Sequence, residues 1–253
     1  MRDYRITKYN PKKRNESGHY LIDEWTEPEQ IGKIFNGVKA KKSDFFAAEE
    51  KYVLSIIEVL KSLSISHLRV VDLDNSYTEW SLSQREKAWL REDVFFEIEV
   101  FEDKSVGLSE IETIIRMNLR HFLHCRLEIN NKFGLRFGFD FYMYVLCHEL
   151  SAAVQDKIHQ MGLFVEEIEP MYLMDRCDFY IQVSKKGGEF VDHEIPLKKM
   201  TRKKIKIGLG LSAEHPGNHS FKITPENSVI FTDEFQFDFD KYEYYLNCDK
   251  IYW

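Results

Sequence analysis

Phe133-Gly134-Leu135-Arg136-Phe137-Gly138-Phe139-Asp140-Phe141-Tyr142-Met143-Tyr144-Val145 is the stretch whose reading decides the fold. Its odd positions are all apolar, and its even positions are Gly134, Arg136, Gly138, Asp140, Tyr142 and Tyr144. A strict period of two predicts one long strand over 133–145, with a core face and a polar, aromatic face. Working outward, 94–100 alternates at its end and predicts a strand. Ser109 and Glu112 have capping-box spacing, and Ile111, Ile114, Ile115, Leu119 and Phe122 share one side of the helix they open. Residues 126–129 predict a short strand that turns at Asn130-Asn131. Leu150, Ala153, Val154 and Met161 mark a second helix, stopped by Gly162, and 164–168 a last strand. The order is strand, helix, strand, strand, helix, strand, that of a ferredoxin-like βαββαβ unit. Such a unit has an antiparallel sheet with both helices on one face and leaves the other face open.

The expected class is therefore α+β, in three segments. Residues 1–92 form an α/β N-terminal region, 93–175 the ferredoxin-like unit, and 176–253 a β-rich C-terminal region. In the first, Thr26 and Glu29 have capping-box spacing and predict a helix running to about 35. Ser43 opens a longer helix through Phe46, Val53, Ile56, Ile57 and Leu60, 67–73 predicts a strand, and 83–90 a short helix. In the third, 179–183, 204–209, 221–223 and 229–239 predict strands, separated by Gly187-Gly188, His215-Pro216-Gly217-Asn218 and Thr224-Pro225-Glu226-Asn227.

The 253 residues are 43% apolar and 30% charged, which argues against disorder, and 12 Gly with 6 Pro argue against collagen or linker composition. Four cysteines without a C-x-x-C pair, Cys125, Cys147, Cys177 and Cys248, suggest reduced thiols. With no apolar run of spanning length and no signal-peptide pattern, a cytoplasmic protein is expected. The net charge of −7 is uneven: +1 over 1–92, −8 over 93–175 and 0 over 176–253. The last segment itself splits into +5 over 176–210 and −5 over 211–253. The acidic regions repel polyanions and attract basic partners.

No catalytic motif is complete. His148-Glu149 begins a zinc-protease pattern, but position 152 is Ala where the second His belongs. His121, His124 and Cys125 have no second ligand cluster, and His residues at a helix end suit the dipole there. Ile207-Gly208-Leu209-Gly210 lacks the third glycine of a dinucleotide loop. Asp72-Leu73-Asp74 reads as an acidic strand end. No cofactor and no metal is expected. The basic run Lys198-Lys199-Met200-Thr201-Arg202-Lys203-Lys204 suits phosphate contact or a solvated surface. On the even face of the long strand, Arg136, Asp140, Tyr142 and Tyr144 resemble an RNA-stacking platform, but the basic-Gly-aromatic opening of such a strand is not met and the segment is acidic. Tyrosines suit a protein interface equally well. The run Phe235-Gln236-Phe237-Asp238-Phe239-Asp240 puts Asp238 and Asp240 opposite three Phe, with Tyr242 following.

Tyr4-Arg5-Ile6-Thr7-Lys8-Tyr9-Asn10-Pro11, Gly18-His19-Tyr20 and Asp23-Glu24-Trp25-Thr26 resemble the opening of a poorly characterised bacterial family. Phe137-Gly138-Phe139-Asp140-Phe141-Tyr142-Met143-Tyr144 and Gly162-Leu163-Phe164-Val165-Glu166-Glu167 resemble its later motifs. The similarity covers about 4–175. Some members resemble immunity proteins of contact-dependent inhibition and polymorphic toxin systems. The resemblance implies a non-enzymatic protein that binds a cognate toxin domain, a basic nuclease by charge, and covers its active site. It carries over no catalytic residues. The residues expected to meet the toxin are Glu97, Glu99, Asp140, Tyr142, Tyr144, Asp238, Asp240 and Tyr242. The alternatives are an RNA-binding module on the tyrosine face and an enzyme using Asp140, His148 or Glu149.

Overall fold

The computed structural model describes residues 1–74, 85–138, 140–168, 179–188, 191–215 and 220–247. The fold is mixed α+β. The chain divides into two compact units, one of 1–128 with 132–169 and the other of 129–131 with 170–253.

Among the described residues the first unit carries nine strands: β1 (Arg2–Thr7), β2 (Ile34–Phe35), β3 (Val38–Lys39), β4 (His67–Asp74), β5 (Ser105–Gly107), β6 (His124–Ile129), β7 (Phe133–Phe137), β8 (Met143–Cys147) and β9 (Phe164–Ile168). Its helices are α1 (Lys42–Ser62), α2 (Val94–Glu97), α3 (Leu108–Leu119) and α4 (Ala152–Gln160). Seven strands make one sheet in the order β5-β4-β6-β7-β8-β1-β9, and β2 with β3 forms a separate hairpin. Leu135, Val145 and Tyr4 stand side by side across β7, β8 and β1, and Phe137, Met143 and Ile6 form the next row. Of these six, all but Phe137 are buried, so this is the core face. α1 exists because Phe45, Tyr52, Val53, Ile56 and Leu60 fall on one buried side. The Asp44 carboxylate accepts the Lys41 N–H at 2.9 Å and closes its first turn.

Several expected elements form differently. The stretch 133–145 is not one strand but the β7–β8 hairpin, with Asp140 and Phe141 both at positive φ in the turn. The alternation survives the turn because odd residues pair with odd residues: Phe133 with Cys147, Leu135 with Val145, Phe137 with Met143. Paired residues share a face, so a hairpin of this register reads like a straight strand. The expected strand at 94–100 opens as α2, because Phe95 alone turns inward while Val94 and Phe96 stay exposed. The helix expected from Thr26 is a single 3-10 turn at Pro28–Gln30 followed by β2 and β3. Thr26 spends its N–H on the Gln30 side chain at 2.8 Å. The α3 cap lies two positions before the expected one, where Glu110 accepts the Gly107 N–H at 3.1 Å. A 3-10 turn at Arg85–Leu90 covers most of the helix expected at 83–90, whose start lies outside the described residues.

The ferredoxin-like unit is not what the strands build. β4 lies between β5 and β6, and β1 lies between β8 and β9, so strands from before residue 92 separate those of 93–175.

The second unit has β10 (Tyr180–Lys185), β11 (Val191–Pro196), β12 (Ser220–Ile223) and β13 (Tyr242–Asn247), in the order β11-β10-β13-β12, with the helix α5 (Arg202–Gly208). Strands expected at 179–183 and 221–223 are present. The expected strand at 204–209 is α5 instead: Thr201 accepts the Lys204 N–H, and only Ile205 of the alternating isoleucines is buried. In 229–239 there is a 3-10 turn at Ser228–Phe231 and then irregular chain. Phe235, Phe237 and Phe239 reach the ring of Tyr244 at 5.6, 5.0 and 5.4 Å rather than forming a ladder. β11 and β13 have no counterpart among the expected strands.

Candidate partner-binding surfaces

The eight residues expected to meet a partner fall in four places. Glu97 and Glu99 belong to an exposed edge at α2. The turn is held from below: Phe95 packs edge-on against Phe122 at 5.1 Å and lies under the guanidinium of Arg120 at 5.1 Å. That anchoring leaves Val94 40%, Phe96 55% and Phe101 50% exposed. Around them stand the exposed carboxylates of Glu92, Asp93, Glu97 and Glu99. A cleft of about 450 Å³ opens beside this edge, lined by Val94, Glu97, Ile98, Glu99, Lys104 and Glu110 among others. The Lys104 ammonium donates to Glu99 O at 2.6 Å and to Glu110 Oε1 at 2.8 Å, so its charge is already engaged. That bond and the Gly107 N–H hold the Glu110 carboxyl below its ordinary range. The arrangement offers large apolar side chains within a net acidic rim, which suits a basic protein surface.

Tyr142 and Tyr144 lie on the sheet face opposite the core, in a charged array. Arg136, Tyr144, Arg5 and Glu166 stand in one row across β7, β8, β1 and β9. The Arg136 guanidinium lies 5.2 Å from the Tyr144 ring centre, and that of Arg5 5.1 Å from Tyr142. Glu166 accepts from Arg5 at 2.9 Å and from Arg14 at 2.6 Å, and Arg136 pairs with the buried Asp3. Tyr142 also meets the edge of Tyr9 at 5.7 Å. Burial, chiefly, pushes the Tyr142 phenol up to about 12. One face of each tyrosine is thus covered by an arginine of the same chain. Asp140 stands apart, exposed at the hairpin tip. In the second unit, Asp238 is tied into a turn by Lys241 at 2.9 Å, Asp240 is exposed, and Tyr242 packs on the local core.

The alternative chemistry does not assemble. Asp140 precedes β8 and His148 with Glu149 follows it, roughly 25 Å apart at about 3.3 Å per residue, and all three are exposed. Among the described residues no three His, Cys, Asp or Glu side chains come together as a metal site. Cys125 and Cys147 are buried free thiols, pushed up by burial to about 12 and about 11. Cys177 and Cys248 lie outside the described residues. Among the described residues no helix is long and apolar enough to cross a membrane.

The exposure of Phe96 is not legible in the sequence, where 94–100 reads as a strand. Lys8 was also missed. Its ammonium lies 4.1 Å from the ring centres of both Tyr9 and Trp25 and pairs with Glu24 at 3.3 Å. Burial outweighs Glu24 and lowers its pKa to about 8. No local sequence pattern foretells a cage assembled from a distant tryptophan.

The second unit is also where similarity to a known family lies. Residues 178–247 match a domain of unknown function, DUF7683. The match spans all the strands of that unit's sheet and α5, and less than half of the chain. No curated protein and no solved structure matches.

Proposed function

We propose that this chain is a cytoplasmic immunity protein that binds a cognate basic toxin domain, most simply a nuclease, and covers its active site. The observation that carries the reading is the α2 edge, where exposed Val94, Phe96 and Phe101 are interleaved with Glu92, Asp93, Glu97 and Glu99. Exposed aromatics of this size act as interface anchors, and the carboxylates around them steer a cationic partner during encounter. The resemblance of 4–175 to immunity-type families supports the same reading. Asp140, Tyr142, Tyr144, Asp238, Asp240 and Tyr242 are secondary contacts within it. The RNA-binding alternative is weaker because Arg136 and Arg5 occupy ring faces that bases would need.

The test is stopped-flow association with the toxin domain encoded beside this chain. Glu97→Lys with Glu99→Lys should slow association about tenfold at low salt and flatten its salt dependence. Phe96→Ala should speed dissociation about tenfold or more, as loss of a buried anchor does. A toxin domain that fails to bind, or binds both variants like the native chain, removes the reading.

A further inference from the structure

Two exposed patches of the first unit are complementary to each other. One is the hairpin of β2 and β3. Asn36 and Gly37, both at positive φ, make its two-residue turn, and Ile34 pairs with Lys39 and Phe35 with Val38. Ala40 closes the base: its carbonyl accepts the Gly32 N–H and its N–H donates to Lys33 O, each at 2.9 Å. Among the described residues the hairpin joins no other sheet, and Ile34 and Val38 stand 69% and 68% exposed on it. Asn36 Nδ2 donates to Asp23 O at 2.6 Å, which brings the chain beside Leu21, also 69% exposed, to the turn. Residues 30–43 hold Lys33, Lys39, Lys41 and Lys42 and no Asp or Glu.

Every charge around the hairpin can be placed. Lys42 lies over the Trp89 ring at 5.2 Å, while Lys33, Lys39 and Lys41 are exposed and make no ion pair among the described residues. Glu24 pairs with Lys8 at 3.3 Å, Glu29 stands 3.6 Å from His121, and both are half-buried, as is Glu27. Asp44 accepts the Lys41 N–H. The exposed charges of 21–44 are thus four lysines against Asp23 and Asp44. The α2 edge has the opposite sign. Over 91–103 the six acidic residues Glu92, Asp93, Glu97, Glu99, Glu102 and Asp103 stand against Arg91. The carboxylates of Glu97 and Glu99 make no ion pair among the described residues, and Phe96 and Phe101 stand beside them 55% and 50% exposed. Both patches lie at the N-terminal end of α1. The hairpin runs straight into that helix, and Arg120 lies 5.1 Å from the ring centres of Phe46, on its second turn, and of Phe95 in α2.

We propose that the β2–β3 hairpin of one copy of this chain docks on the α2 edge of a second copy. Ile34 and Val38 meet Phe96 and Phe101, and Lys33, Lys39 and Lys41 meet Glu97 and Glu99. One such contact is small beside the roughly 1,200 Å² that a stable pair buries. A two-fold axis makes it twice, because each copy carries both patches at one end of α1. The pairing does not rest on the toxin-binding reading, but it puts the second copy on the edge that a toxin domain would take, so the two compete.

The experiment is sedimentation of the full chain over a wide range of concentration, at low and at high salt. The mass should rise from monomer to dimer with concentration and fall back at high salt. Lys33→Glu with Lys39→Glu, and separately Glu97→Lys with Glu99→Lys, should each weaken self-association about tenfold or more. An equimolar mixture of the two variants should associate again, because it sets an acidic hairpin against a basic edge and a basic hairpin against an acidic edge. Lys198→Glu with Lys199→Glu, in the second unit, makes the same charge change and should leave self-association within about twofold. The hairpin variant should still bind the toxin domain, so loss of pairing and loss of toxin binding are read separately. A chain that stays monomeric throughout overturns the proposal. So does a mixture of folded variants that fails to associate, or a loss in the Lys198, Lys199 variant equal to that of the hairpin variant. A monomeric chain held by its hairpin lysines on phosphatidylcholine vesicles containing phosphatidylglycerol would give the patch to a lipid surface instead.

Discussion

Lys8 is a basic side chain held below its ordinary range, and it makes a pH prediction of definite sign. Burial against Tyr9 and Trp25 lowers its folded pKa to about 8, with Glu24 pulling the other way. An unfolded lysine titrates near 10.4. Below pH 8 both states hold the proton, and the cost of burying the charge is fully present. Between pH 8 and about 10.4 the unfolded chain keeps a proton that the folded one has released, so this group's contribution to stability rises with pH. The raised thiols of Cys125 and Cys147 act oppositely above about pH 8.5, their ordinary value. The readout is therefore a difference. Urea unfolding of the native chain and of Lys8→Met, from pH 7 to 10, should show the native chain gaining on the variant across the upper half of that range. A constant difference would mean that Lys8 is not displaced. The same scale shows what residue patterns convey. Gly138 could be read as an even position of a strand, but not its reason: a Cβ there would stand 2.6 Å from Tyr144 Cε2.

Elements show where alternation and capping signals succeed and where they mislead. Helices α1, α3 and α4 were legible because a buried stripe of 3.6-residue period has no competing explanation. The β7–β8 hairpin was not, since its register preserves parity through a turn made of Asp140 and Phe141 rather than Gly or Asn. What holds that turn is distant in sequence: the Tyr52 hydroxyl donates to Phe141 O at 2.7 Å and accepts the Lys8 N–H at 2.8 Å. α2 was lost for a similar reason, because its register depends on a buried ion pair. Arg120 and Glu49, each 1% exposed at the side chain, form two bonds of 2.6 Å, Nε to Oε1 and Nη2 to Oε2. Arg120 also donates to Leu90 O at 2.9 Å and lies 5.1 Å from the ring centres of Phe46 and Phe95. This single side chain ties α1, α2, α3 and the Arg85–Leu90 turn together. Arg120→Ala should cost about 3–5 kcal/mol, because it leaves the buried Glu49 carboxylate with Arg116 at 3.2 Å in place of two bonds of 2.6 Å. Replacing both partners, Arg120→Met with Glu49→Leu, should recover much of that loss. Urea midpoints measure both; a cost below about 1 kcal/mol for Arg120→Ala would show that Glu49 is satisfied without Arg120.

At the scale of the whole molecule, the α+β class follows from the mixture of periodicities, but the assembly of the sheet does not. β1 and β4 come from residues before 92 and enter the interior of a sheet whose other strands come from 105–168. Their pairing is long-range, and alternation names a strand without naming its neighbour. The acidic candidate residues were legible as charge, but the exposure of Phe96 depends on packing beneath it. The second unit has its own apolar core of Phe179, Ile181, Val183, Met200, Ile205, Ile223, Phe231, Tyr244 and Leu246. A separate core predicts separate cooperativity, so unfolding of the full chain should depart from two-state behaviour. Ile181 and Ile114 are both 0% exposed, one in each unit. Truncating either to Ala should cost about 2–5 kcal/mol. In calorimetry Ile181→Ala should lower only the transition of the second unit, and Ile114→Ala only that of the first. If both variants instead shift one shared transition, the two cores unfold as a single cooperative body, and the surfaces on each unit would then be coupled through its stability.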